Sequence, residues 1–341
     1  MSNTQQPHYI ARAPVLGATD TRQLTRLLNE VAVVYRDVQS LDLLEAAPLI
    51  AQDFPRSLRE FFHEARVGEN GAVLVVPALG VIGETRTPTP RDWKDVVSPT
   101  PTHLAEIFLV LAVSLLGDVF GWTTQQNGRY VHDVLPIRGL EYEQVGWSSL
   151  APLTWHTEDA FHPQRADYVA LLCLRNPDRV ATTVWSVTQL DIAPELRQIL
   201  REERYLIRPD HSHLARYNTT SALQFAHVEE MMRNPARVAV LLGTEERPYL
   251  RIDPDYMTPV PHDEDAARAL HAISARIETG LHELVLQEGD LCILDNHQVV
   301  HGRCPFRARF DGSDRWLKRT NIMRDLRKAV AFRRSGTRLL V

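Results

Sequence analysis

Apolar residues in LTRLLNEVAVVYRDVQSLDLLEAAPLIAQDF return every three or four positions, the period of a helix with one buried face. Pro55 interrupts this beat and SLREFFHEARVG resumes it, so residues 17 to 68 are expected to be mainly helical. Glu69 to Gly71 punctuate the chain. Ala72 to Val76 then form an unbroken apolar run suited to a buried strand, closed by Pro77 to Gly80. TRTPTPRDWKDVVSPTPTHL, with Pro88, Pro90, Pro99 and Pro101, reads as a surface connection. LAEIFLVLAVSLLGDVFGW is expected to be a buried helix ending near Gly117 or Gly121.

From about Gly128 the beat shortens. YVHDVLPI, DYVALLCLRN, ATTVWSV, YLIRPD, VAVLLG, PYLRID, HELVLQEGDLCILD and LKRTNIM are short runs separated by Pro, Gly, Asp or Asn. Many short strands with irregular loops favour an antiparallel barrel or sandwich over a doubly wound sheet. DIAPELRQILREERY and DEDAARALHAISARIETG interrupt them as helical insertions. There is no repeat, low-complexity tract, dinucleotide-type glycine fingerprint or evident linker. The expectation is one mainly β domain over residues 1–341, with a mainly helical elaboration over 15–125 and the main β core over 128–330.

Composition narrows the function. A chain of 341 residues that is 44% hydrophobic and 24% charged can bury a sizeable core. A net charge of -5 gives no general attraction to a phosphate backbone. The basic tail RDLRKAVAFRRSGTR lacks interleaved aromatic residues, so no nucleic-acid partner is expected. The apolar run IFLVLAVSLLG is too short for a membrane span, and no membrane partner is expected. MSNTQQPHYIARAPVLG has no basic head followed by an apolar stretch. Cys173, Cys292 and Cys304 leave at least one thiol unpaired and lack the close spacing of a thiolate zinc site. A cytoplasmic, reduced protein is the expectation. Only Lys94, Lys318 and Lys328 are lysines; the remaining cations are arginines.

WHTEDAFHP is the densest chemical segment. In a strand, His156 and Glu158 point to the same face and can grip one ion. An imidazole and a carboxylate completed by a distant histidine make the facial arrangement that suits non-haem Fe(II) and leaves positions open. The distant histidine is sought in EGDLCILDNHQVVHGR, where His297 and His301 are both candidates. Four residues apart, they face the same way in a regular strand, so periodicity does not choose between them. A polar hairpin at a sheet edge is the competing reading of this segment.

LTWHTEDAFHPQRADYVALLCLRN together with DNHQVVHGRCPFRARFDGSDRWLKR resembles the clavaminate synthase-like branch of Fe(II)- and 2-oxoglutarate-dependent oxygenases. Within that branch the chain is most similar to the free L-arginine hydroxylases of viomycin and streptothricin biosynthesis, over about residues 15 to 330. The resemblance implies a double-stranded β-helix (jelly roll, cupin-like) core, with Fe(II) as cofactor and 2-oxoglutarate and dioxygen as co-substrates. It also implies hydroxylation of free L-arginine at C3, coupled to decarboxylation of 2-oxoglutarate to succinate and carbon dioxide. C4 hydroxylation, desaturation and hydroxylation of enduracididine are the near rivals. A non-enzymatic metal-dependent binding module and a cupin-like isomerase or hydrolase are the distant ones.

Residue by residue, the resemblance places the metal ligands at His156, Glu158 and His301. An arginine fourteen residues beyond the late histidine holds the distal carboxylate of 2-oxoglutarate. From His301 that count reaches Arg315, and from His297 it reaches Asp311, which selects His301. Thr182 and Thr183 are candidates for a hydroxyl contact to 2-oxoglutarate, with Thr183 preferred. Asp253 and Asp255, in RIDPDYMTP, fall around the substrate guanidinium, whose donors two carboxylates can satisfy; a solvent-facing turn is the unaided reading. Gln125 and Glu158 fall near the α-amine and Arg319 near the α-carboxylate.

Overall fold

Tyr168–Arg175 and Asp290–Asp295 carry unbroken apolar runs, Tyr168–Leu174 and Leu291–Leu294, so the sheet they build needs cover on both faces. In the computed structural model, which describes residues 7–68, 71–218 and 225–341, these two strands pair at the centre of the larger sheet. Glu69 and Asn70, expected in a turn, lie outside the described residues. The sheet runs Ile10–Arg12, Val73–Pro77, Asp290–Asp295, Tyr168–Arg175, Trp316–Met323, Asp118–Trp122 and Leu339–Leu340, with His132–Val134 also on Trp316–Met323. The smaller sheet runs His282–Leu284, Thr182–Ser186, Val299–Arg303 and Leu153–His156, antiparallel throughout. The larger sheet draws strands from both sides of residues 128–330.

Side-chain alternation decides what lies on each face. Val73, Val75, Leu171, Cys173, Cys292, Leu294 and Leu317 meet Val184, Leu284 and Val299 of the smaller sheet in one core, giving the two-sheet layering of a double-stranded β-helix. Leu74, Val76, Ala170, Leu172, Leu291 and Ile293 point the other way, under the helices Ala18–Val34, Leu41–Ile50 and His103–Ser114. On the outer face of the smaller sheet, Trp185 and Val300 are covered by the insertion that carries Pro194–Leu200 and Glu264–Gly280. Among the described residues, no helix is long and apolar enough to cross a membrane.

Several elements depart from the sequence expectation, among them the strands Ile10–Arg12, Met257–Pro259 and Leu339–Leu340, which it did not include. The buried helix stops at Ser114, near the first of its two expected ends, and the strand Asp118–Trp122 rules out the end at Gly121. A short apolar run reads equally as either, and pairing with Trp316–Met323 decides it. Gly121 marks a close backbone approach there: a Cβ would come within 2.6 Å of the Arg129 carbonyl oxygen. The helix Ala226–Arg233 was not expected at all.

One of the three lysines is buried where the helical layer meets the sheet. Lys318 Nζ lies 2.6 Å from Glu106 Oε1 of His103–Ser114 and 2.6 Å from Asp133 Oδ1. Thr100 and Thr102 donate to Glu106, and the Trp316 indole donates to Asp133. Lys318→Met would leave two carboxylates buried without their cation. The expected result is a loss of about 3–5 kcal/mol in denaturant unfolding; a loss below about 1 kcal/mol would mean that the triad is dispensable.

Candidate metal centre

His156 ends the strand Leu153–His156, and His301 lies directly opposite it in the antiparallel register. Their rings stand 4.7 Å apart between centroids. The strand does not continue to Glu158 as expected. Glu158 is presented by the turn that follows, where the Asn296 side chain accepts from Glu158 N at 2.8 Å and donates to the Glu158 and Ala166 carbonyls. Glu158 Oε2 lies 3.6 Å from His156 Nε2 and 3.4 Å from His301 Nε2. The ligand atoms of the three residues lie within 4.8 Å of one another. His156 Nδ1 donates to the Thr154 carbonyl at 2.8 Å, which makes Nε2 the nitrogen that a metal would take in place of a proton.

His297 goes elsewhere. It sits in the turn between Asp290–Asp295 and Val299–Arg303, so strand alternation does not apply to it. Its Nε2 lies 2.8 Å from Asp167 Oδ1 and its Nδ1 3.1 Å from Arg165 Nη2.

The electrostatics of the cluster suit a cation. Burial works against a charged Glu158, yet Arg319 and the two histidines hold its carboxyl well below the usual range. Burial likewise opposes protonation of His156, but Glu158 and Asp253 outweigh it and carry the imidazole up to about 9. Burial, with His156 and Arg319 adding, pushes His301 down. An ionised carboxylate and two converging imidazoles fit a 2-His-1-carboxylate iron site by donor type.

At one end of the cavity beside the triad, Arg315 is buried, and its Nη2 donates to Thr182 Oγ1 at 3.2 Å. Its Nε has no acceptor, and no carboxylate pairs with it among the described residues. Burial pushes this guanidinium down to about 10, the mark of a cation lacking its counter-charge. Thr183 is not brought into this group. Thr182 lines the cavity, and alternation along Thr182–Ser186 turns its neighbour to the other face. Arg303, which the sequence reading passed over, lines the same end.

At the other end, Arg319 donates to Glu158 Oε1, to Gln125 Oε1 at 2.8 Å and to His132 Nδ1 at 2.9 Å. Gln125 does not itself line the cavity. It is buried behind the wall, and its Nε2 is surrounded by Ser212 Oγ at 2.7 Å, His213 Nε2 at 3.0 Å and Asp159 Oδ1 at 3.3 Å. Gln126 turns away to the backbone of Asp133. Asp253 and Asp255 both line the cavity from a turn, not from an extended segment, with Asp255 N donating to Asp253 Oδ1 at 3.0 Å. Asp253 is buried and Asp255 exposed. Burial, with Asp210 and Asp255 adding and His156 opposing, pushes Asp253 up to about 7. Asp210 is a third carboxylate on this wall that the sequence reading missed. It sits in RPDHSH, where nothing in spacing or composition distinguishes it from a strand-end turn.

Two facing sheets, a histidine on each of two paired strands and a carboxylate on the adjoining turn define a non-haem iron oxygenase type of centre. The chain belongs to the family described as taurine catabolism dioxygenase TauD, TfdA family, whose profile matches residues 112–321. It is 42% identical to the enduracididine beta-hydroxylase of Streptomyces hygroscopicus over 93% of this chain and 96% of that protein. It is 40% identical to the L-ornithine/L-arginine 3-hydroxylase of Catenulispora acidiphila, again over 93% of this chain and 96% of the relative. The crystal structure of the non-heme iron oxygenase OrfP with Fe, succinate and (3S)-hydroxy-L-Arg superposes with a TM-score of 0.91 at 39% identity, covering 97% of this chain and 99% of that one. Other OrfP structures hold Fe with alpha-ketoglutaric acid, Fe with L-Arg, and Fe and succinate with (3R,4R)-dihydroxy-L-Arg.

Proposed function

We propose that this Fe(II)/2-oxoglutarate-dependent dioxygenase hydroxylates free L-arginine at C3. The observation that carries the reading is the charge layout around His156, Glu158 and His301: an uncompensated buried guanidinium at one end of the cavity and a three-carboxylate wall at the other. When bound, Fe(II) supplies the redox centre at which 2-oxoglutarate loses carbon dioxide and one oxygen atom of dioxygen ends in succinate and the other in the product hydroxyl. The protein's part is binding and aim. His156, Glu158 and His301 hold the metal, and Arg315 holds the distal carboxylate of 2-oxoglutarate with Thr182 beside it. Arg319 takes the α-carboxylate of arginine, while Gln125 fixes the Arg319 fork from behind. Asp253, Asp255 and Asp210 accept the guanidinium donors, so both ends of a flexible side chain are held and one C–H bond is presented. No side chain is needed as a general base, because a hydrogen atom and not a proton leaves carbon.

The relatives named above support the C3 position, since both hydroxylate a β-carbon by name. Enduracididine is the second reading, favoured by the 42% identity to its hydroxylase. Incubation with Fe(II), 2-oxoglutarate and L-arginine should add one oxygen, which NMR should place on C3. A product two hydrogens lighter, a hydroxyl mapped to C4 or C5, or turnover only with enduracididine would reject the assignment. A reducing, cytoplasmic setting is supported by three free cysteines, two of them buried.

A further inference from the structure

Arg303 follows His301 by two residues in the strand Val299–Arg303, and both side chains line the cavity. Its register partner across the sheet is Thr182, the residue whose hydroxyl accepts from Arg315. The two arginines therefore share the end of the cavity that the proposed function gives to 2-oxoglutarate. Arg303 is as buried as Arg315, with 4% and 6% of their surfaces exposed. Its Nη atoms donate to the Ser148 carbonyl, to Ser148 Oγ at 3.1 Å and to the Ala151 carbonyl at 2.7 Å. The Phe306 ring lies 5.1 Å away. Its Nε, like that of Arg315, is buried without an acceptor.

Carbonyls and a hydroxyl satisfy donors without cancelling charge. Two guanidiniums buried side by side, with no carboxylate on either among the described residues, make a cavity end more cationic than one carboxylate-binding arginine requires. A simple staple for the loop at residues 148–151 would need no charge at all. We propose that Arg303 is a second cation for the distal carboxylate of the 2-oxo acid and sets the preference for a 2-oxo dicarboxylic acid over one with an uncharged tail. The inference rests on the reading that the Arg315 end takes the co-substrate.

Anaerobic calorimetric titration of the Fe(II)-loaded protein with 2-oxoglutarate and with 2-oxovalerate tests it, because 2-oxovalerate has a methyl in place of the distal carboxylate. No turnover is needed. The unaltered protein should prefer 2-oxoglutarate, and Arg315→Gln should lose most of that preference; no preference in the unaltered protein, or an undiminished one in Arg315→Gln, would sink the co-substrate reading itself. Arg303→Gln should weaken 2-oxoglutarate about tenfold while leaving 2-oxovalerate within about twofold. Ser148→Ala, which removes one staple contact and no charge, should leave the preference intact. Arg303→Met decides the matter if the Gln protein does not fold: most of the volume remains but the charge is gone, and the preference should again fall about tenfold. Equal weakening of both acids by Arg303 substitution, or an unchanged preference, would overturn the proposal and leave Arg303 as a loop staple.

Discussion

His301→Ala should lose bound iron and with it nearly all 2-oxoglutarate turnover, whereas His297→Ala should keep both. His301 stands opposite His156 across a strand pair and aims Nε2 at Glu158 Oε2 from 3.4 Å. Removing it deletes one of three converging ligands. Changes to groups that merely orient a ligand already cost about 10–100-fold, so losing the ligand itself should exceed about 100-fold. His297 instead pairs with Asp167 in a partly exposed contact, worth no more than about 1 kcal/mol to stability. Metal analysis beside single-turnover kinetics checks both variants. Full iron occupancy in His301→Ala, or its loss in His297→Ala, would show that the wrong histidine has been assigned.

The acidic wall should discriminate by charge, and its members should not be equal. Citrulline has nearly the shape of arginine but a neutral urea group. Asp253 is buried, so its charge-assisted bond to a guanidinium is weakly screened, and Asp253→Asn should cost about 1–3 kcal/mol, roughly 5- to 150-fold in arginine kcat/KM. Asp255 is exposed, and Asp255→Asn should cost less than about 1 kcal/mol. The double variant should lose most of the preference for arginine over citrulline while retaining iron. If the double variant discriminates as the parent does, these carboxylates do not hold the guanidinium.

The strand runs were legible because short apolar runs bounded by turn residues are written in the residues themselves. DYVALLCLRN, ATTVWSV and LKRTNIM all contain strands, and the insertion helices lie where the apolar beat put them. The sequence left the helix end open between Gly117 and Gly121 because the five residues of Asp118–Trp122 carry no period long enough to separate helix from strand. Thr182 and Thr183 differ only by the face each occupies, and a single residue of register decides that. Asp210, Arg303, Asn296 and His132 had no signal of their own. Asp210 and His132 come from segments far from the metal-ligand motifs, Arg303 and Asn296 sit beside the late histidine, and only packing gives each its partner.

The sequence by itself determined most of the element types, the arginine-dominated cationic bias and the candidate donor set: an imidazole–carboxylate pair and two late histidines. It did so because local periodicity and side-chain chemistry travel with the chain. Tertiary structure decided which late histidine joins the pair, since a turn at Asn296–Gln298 swings His297 to Asp167 while pairing with Leu153–His156 sets His301 opposite His156. It also decided that DPD is both a turn and part of the wall, two readings that the sequence had set against each other. And it buried Arg303 and Arg315 together without a carboxylate on either, a charge imbalance that exists only once sheets facing each other have shut out water.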